Sequence, residues 1–143
     1  MYFEELTVGQ SAEIVRRVTQ EDIAAFAEVS GDRNAVHLDP DYAARSSFKG
    51  VVAHGMLSAS FISGVLGTKL PGEGTIYISQ NLRFLAPVRP GDAVATRVTV
   101  KEMRPGAKSR GEVICLTTSR VGDVTVIDGE ATVLVPKQCR EAA

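Results

Sequence analysis

Residues 51–66 read V-V-A-H-G-M-L-S-A-S-F-I-S-G-V-L, and this stretch decides the fold. Met56, Leu57, Phe61, Ile62, Val65 and Leu66 are set among Gly55, Ser58, Ala59, Ser60, Ser63 and Gly64. The segment is too short and too rich in small polar residues for a membrane span. A helix that is apolar nearly all round is instead a buried one, and its small residues would let a sheet approach closely. The spacing predicts a central buried helix from His54 to about Gly67.

Working outward, the chain turns at Leu70-Pro71-Gly72-Glu73-Gly74 and then becomes rich in Val, Ile and Thr. Four stretches read as strands, Thr75 to Phe84, Ala93 to Lys101, Gly111 to Ser119 and Val124 to Val135, with a hairpin signal at Gly122-Asp123. Short connections between successive strands make the sheet antiparallel. An earlier alternating stretch, Ala12 to Val18, supplies a further strand. The expectation is α+β: an antiparallel sheet of about five strands wrapped around one long helix. A length of 143 residues, with no repeat or linker, suits one domain over 1–143 with a core of its own.

Before the central helix, Thr19-Gln20-Glu21-Asp22 has the form of a helix start, a hydroxyl cap with an acid three residues on, and the helix should stop near Ser30-Gly31. Asp39-Pro40-Asp41-Tyr42 is a second start, with an N-cap acid and proline in the first turn. Asp32 to His37 is therefore read as a loop between two helix ends. It carries an acid and an imidazole five residues apart, which can converge on one water, and neither lies on an apolar stripe that packing would explain.

Sixteen Lys+Arg against 17 Asp+Glu give a net charge of −1, which offers no electrostatic case for nucleic acid or an anionic membrane. A small molecule is the expected partner. Cys115 and Cys139 have no metal-ligand spacing, and Cys139 sits in a polar tail, so neither a metal centre nor a disulfide framework is expected. The acidic Met1-Tyr2-Phe3-Glu4-Glu5 start lacks a signal-peptide pattern. These features together suit a reducing cytoplasm. No phosphate-binding glycine motif or dinucleotide fingerprint is present.

With helix, sheet and loop placed, the sequence resembles the hot-dog-fold family of MaoC-like (R)-specific enoyl-CoA hydratases. The matching residues are Phe26, then Ser30-Gly31-Asp32-Arg33-Asn34-Ala35-Val36-His37, Ala53-His54-Gly55-Met56-Leu57, Ser63-Gly64, Asn81 through Val88, and Gly91-Asp92. The likeness covers nearly the whole chain. One departure is Ala35 where the family loop usually has proline, which loosens the loop slightly and leaves both chemical groups in place.

The resemblance implies reversible syn addition of water to a trans-2-enoyl-CoA, giving a (3R)-3-hydroxyacyl-CoA, as in fatty-acid or polyhydroxyalkanoate metabolism. It assigns Asp32 and His37 to the catalytic water, with Asp32 read as the principal base and His37 as the group that orients the water and shares its proton. Enolate charge on the thioester oxygen needs a donor, and the Gly55 N–H at the start of the buried helix is the candidate oxyanion hole. Asn34 would brace the loop, Ser63 corresponds to a residue near the family's active site, and His54 is read as structural. For the coenzyme A phosphates, Arg83, Lys101 and Lys108 are the candidate contacts, with Arg104 and Arg110 also available. No separate cofactor is implied, because coenzyme A enters as part of the substrate, and the family typically forms homodimers by pairing sheet edges. Three other readings stand beside this one: a 3-hydroxyacyl-acyl-carrier-protein dehydratase, an acyl-CoA thioesterase on the same fold, and a non-catalytic acyl-thioester-binding subunit.

Overall fold

In a computed structural model, described here for residues 1–138, the chain folds around the apolar segment at 51–66. Helix α4, Gly55–Thr68, starts directly after His54, whose side chain makes no capping hydrogen bond. It turns Leu57, Phe61, Ile62, Val65 and Leu66 into a core shared with Val94, Val98, Val100, Val113, Val133 and Val135 of the sheet. Alternation does the matching work on the sheet side. Val94, Thr96, Val98 and Val100 are all buried while Arg97 between them is exposed, so one face of the strand meets α4 and the other meets solvent.

The strands are β1 Ser11–Arg17, β2 Ile76–Gln80, β3 Arg83–Phe84, β4 Ala93–Arg104, β5 Arg110–Val121 and β6 Val124–Pro136. All pairings are antiparallel, in the order β1-β4-β5-β6-β2, with β3 also pairing β6. The sheet therefore has six strands. The strand expected over Thr75 to Phe84 is two, because the ladder to β6 is interrupted around Asn81. There the Asn81 carbonyl oxygen lies where a Cβ on Gly129 would stand, only 2.0 Å from it. The Asn81 side-chain Oδ1 accepts from the Glu130 N–H at 3.0 Å. The long strands β4, β5 and β6 also run further than expected at their ends, since a register of paired amides carries on past the apolar residues.

Gly64 and Gly67 of α4 do not serve a close approach of the sheet beneath. A methyl on Gly64 would meet Ile14 Cδ1 at an ordinary 3.7 Å, and one on Gly67 would meet nothing within 4 Å. The single tight place is Gly55, where the neighbour is the ring of Phe84.

Ahead of α4 lie α1 Gln20–Ser30, α2 Ala35–Leu38 and α3 Pro40–Arg45. Helix α1 has the expected capping box and ends on Gly31 in the left-handed conformation, φ 78°. Asp39 caps α3 through the Asp41 and Tyr42 amides. The segment expected as plain loop contains the one-turn helix α2, so His37 sits on a helix and Asp32 on the link before it. No helix among the described residues is long and apolar enough to cross a membrane. Cys115 is buried in β5, and Cys139 lies outside the described residues.

Candidate active site

The loop after α1 is built by its own short polar side chains. The Ser30 hydroxyl donates to the Phe26 carbonyl at 2.6 Å and accepts from the Asp32 N–H at 3.1 Å. Asp32 Oδ1 accepts from the Asn34 N–H at 3.2 Å, and Asn34 Oδ1 accepts from the Val36 N–H at 3.2 Å, capping α2. The Asn34 side chain holds the start of α2, and one carboxylate oxygen of Asp32 is committed to the Asn34 amide. The other, Oδ2, stands 4.0 Å from His37 Nε2.

That separation is too long for a direct hydrogen bond and suits one water donating a hydrogen to each atom at about 2.8 Å. The proton on His37 follows from its second contact. Nδ1 lies 2.7 Å from the Val52 carbonyl, which can only accept, so Nδ1 carries the hydrogen and Nε2 of the neutral ring presents a lone pair. The Val52 N–H in turn donates to the Val36 carbonyl at 3.3 Å, tying α2 to the segment before α4. The Asp32 side chain is 52% exposed and that of His37 12% exposed, a pair set at the mouth of a cavity with the imidazole inward.

The cavity measures about 480 Å³ and is lined by Asp32, His37, His54, Gly55 and Phe84 among others. Gly55 is the first residue of α4, and the amides of a first helical turn have no acceptor within their own helix. Gly55 lines the same cavity as the acid and the imidazole. Phe84, from β3, covers it: a Cβ on Gly55 would lie 2.7 Å from Phe84 Cδ1 and Cε1.

Ser63 is not brought to this cavity. It lines a second hollow of about 430 Å³ with Tyr77, Gln80 and Leu82, and only Met56 borders both. The helical rise explains the separation, since Ser63 lies eight residues, about 12 Å at about 1.5 Å per residue, beyond Gly55 along α4. Of the candidate cations, Lys101 is ion-paired with Glu130 on the sheet surface, Lys108 is exposed in the β4–β5 connection, and Arg83 is exposed beside Phe84. None of the three lines the cavity.

Two further residues define the site. His54, read from sequence as structural, is buried against Asp32 and His37; its place beside Gly55 was the available signal. The Val52 carbonyl carried no signal, because a main-chain acceptor is indifferent to the side chain on it. Asp32, His37 and His54 each bring a ligand atom within 4.8 Å of the others. Their geometry serves a metal poorly, since the two imidazoles are stacked at 3.8 Å with only 27° between their planes, and ring lone pairs lying in near-parallel planes do not meet at one point. Burial pushes the Cys115 thiol up to about 11, so it is not poised as a nucleophile.

Against known proteins, residues 5–121 match the family model described as MaoC like domain. The chain is 50% identical over 135 residues to an (R)-specific enoyl-CoA hydratase of Rhodospirillum rubrum, covering 94% of this chain and 92% of that protein. It is 48% identical over 138 residues to a 3-hydroxybutyryl-CoA dehydratase of Methylorubrum extorquens, covering 96% and 86%. Among solved structures, an R-hydratase of Pseudomonas aeruginosa in its unliganded form superposes with a TM-score of 0.89 at 42% identity, covering 99% of this chain and 92% of that one.

Proposed function

For a chain that belongs to the MaoC-like domain family, we propose the activity of an (R)-specific enoyl-CoA hydratase, a hydro-lyase acting on the hot-dog fold. Water adds reversibly to a trans-2-enoyl-CoA, giving the (3R)-3-hydroxyacyl-CoA. The observation that carries this reading is the 4.0 Å gap between Asp32 Oδ2 and His37 Nε2 on the wall of a cavity that also contains the start of α4.

A water in that gap donates one hydrogen to each acceptor, which leaves a lone pair of its oxygen for the β carbon of the substrate. As the carbon–oxygen bond forms, Asp32 takes the water's proton. The double-bond electrons move toward the α carbon and the thioester oxygen, where the Gly55 N–H and the positive end of α4 offset the developing charge. A proton then returns to the α carbon from the Asp32–His37 pair, restoring both groups. Atoms and charge balance with no oxidant or reductant, so hydration calls for no electron carrier, and coenzyme A enters as the thiol half of the substrate. The working unit is a homodimer joined through an exposed sheet edge.

Loss of enoyl-thioester absorbance with crotonyl-CoA tests the reading. Wild type should turn over rapidly, and Asp32→Asn should fall at least about a hundredfold, the loss typical of removing an acid–base group. The product should be consumed by an (R)-specific 3-hydroxyacyl-CoA dehydrogenase. An Asp32→Asn enzyme as fast as wild type would remove Asp32 from the chemistry.

A further inference from the structure

His54 is absent from the proton transfers above, yet it touches both groups that perform them. Its side chain sits in the interior, with the residue 2% exposed. Nε2 lies 2.9 Å from the main-chain carbonyl of Asp32; a carbonyl can only accept, so Nε2 carries the hydrogen and donates it. The same ring lies face to face with His37, centroids 3.8 Å apart, and meets the Phe26 ring at 4.9 Å and 57°. Packing alone asks for none of this. An apolar residue would fill the volume, whereas His54 buries two nitrogens, and Nδ1 has no partner among the described residues, which costs stability.

We propose that His54 is a positioning residue for the hydration, fixing the Asp32 main chain by its hydrogen bond and the plane of the His37 ring by its stack. The proposal rests on the Asp32–His37 reading above. The acid needs such a support. Asp32 follows a left-handed glycine on an exposed link, its carboxylate is anchored locally by the Asn34 amide, and its main chain is anchored by the Ser30 hydroxyl and by His54. The His37 ring is pinned at one nitrogen by Val52, which leaves rotation about that contact for the stack to stop. A water shared across 4.0 Å is lost if either group shifts, and a misplacement of about 1 Å can cost about a hundredfold in rate. His54 also directly precedes Gly55, so the N–H donor, the acid and the imidazole are all referred to one buried ring.

Three variants separate its two contacts. His54→Gln keeps an N–H donor of similar reach and loses the aromatic face; His54→Phe keeps the face and loses the donor; His54→Ala loses both. Kinetics on crotonyl-CoA, normalised to folded protein well below each variant's melting temperature, should show kcat lowered about tenfold or more in His54→Gln and His54→Phe and further in His54→Ala. KM should stay within about threefold, the pattern of a lost transition-state alignment. In proton spectra the His37 ring resonances should shift in His54→Gln and His54→Ala, which remove the stacked face, more than in His54→Phe. Wild-type kcat per folded molecule in all three variants, with Asp32→Asn inactive, would overturn the proposal and leave the site reading standing. An active Asp32→Asn would overturn that reading first. If His54→Ala does not fold, His54→Gln and His54→Phe decide alone: unchanged kcat in both sinks the idea.

Discussion

A methyl group on Gly55 would lie 2.7 Å from two atoms of the Phe84 ring, closer than carbon atoms approach without displacement. The sequence reads Gly55 as an N–H donor, a role any residue but proline can fill; the ring of Phe84 is a reason for glycine itself, supplied by a distant strand and invisible to local spacing. The two can be separated by experiment. Gly55→Ala keeps the N–H, so any loss comes from the ring or the helix end being pushed aside. It should cost about 1 kcal/mol in thermal unfolding, at the low end of overpacking because Phe84 is half-exposed and can swing, and lower kcat/KM for crotonyl-CoA about tenfold. Adding Phe84→Ala should restore most of the stability. If the double variant melts no higher than Gly55→Ala alone, Phe84 is not what the methyl strikes.

At the scale of elements, the ends of α1 were readable and the short helix after it was not, for one physical reason. A cap is a local event: Thr19 Oγ1 accepts from the Asp22 N–H at 3.1 Å and Asp22 Oδ2 from the Thr19 N–H at 3.0 Å, both within four residues. Helix α2 has four residues, too few to show a period, and only Asn34 announces it. The break between β2 and β3 depends on Asn81 meeting Gly129 across the sheet, a contact that no window along the chain contains. Ser63 matches by motif, and the axial rise along α4 carries it to a different hollow. The capping box also makes a pH prediction. The Thr19 backbone amide, then the Thr19 hydroxyl and Arg16, hold the Asp22 carboxyl below its usual 3.8 against an opposing burial effect. A carboxyl depressed by folding contributes stability above its unfolded value and loses it as pH falls through the lower folded one. Asp22→Ala should therefore unfold about 0.5 kcal/mol more easily than wild type near neutral pH. Urea titrations should show that difference narrowing below pH 3.8; a gap independent of pH would mean that the charge contributes nothing.

For the whole molecule, the two open edges of the sheet are unlike each other. Helix α4 packs on β4 and β1, and β1 presents Glu13, Arg16 and Arg17, charges of the kind that discourage strand addition. At the other end β2 exposes Ile76, Tyr77 and Ile78 at 42%, 40% and 54%, with no charged residue among its five. Its inner side borders the second hollow through Tyr77, so among the described residues the outer edge of β2 is unpaired and these side chains stay partly open. A second copy pairing there would satisfy the free amides and bury the isoleucines together, at about 25 cal/mol for each Å² of apolar surface removed from water. The dimer proposed above would then be joined at β2. Light scattering on wild type should give twice the chain mass. Ile78→Lys, whose charge would have to be buried against its own symmetry mate, should give the single-chain mass with its circular dichroism retained, since Ile78 lies outside the core shared by α4 and the sheet. A wild type already at the single-chain mass would exclude the dimer, and an Ile78→Lys protein that remains dimeric would move the interface away from β2.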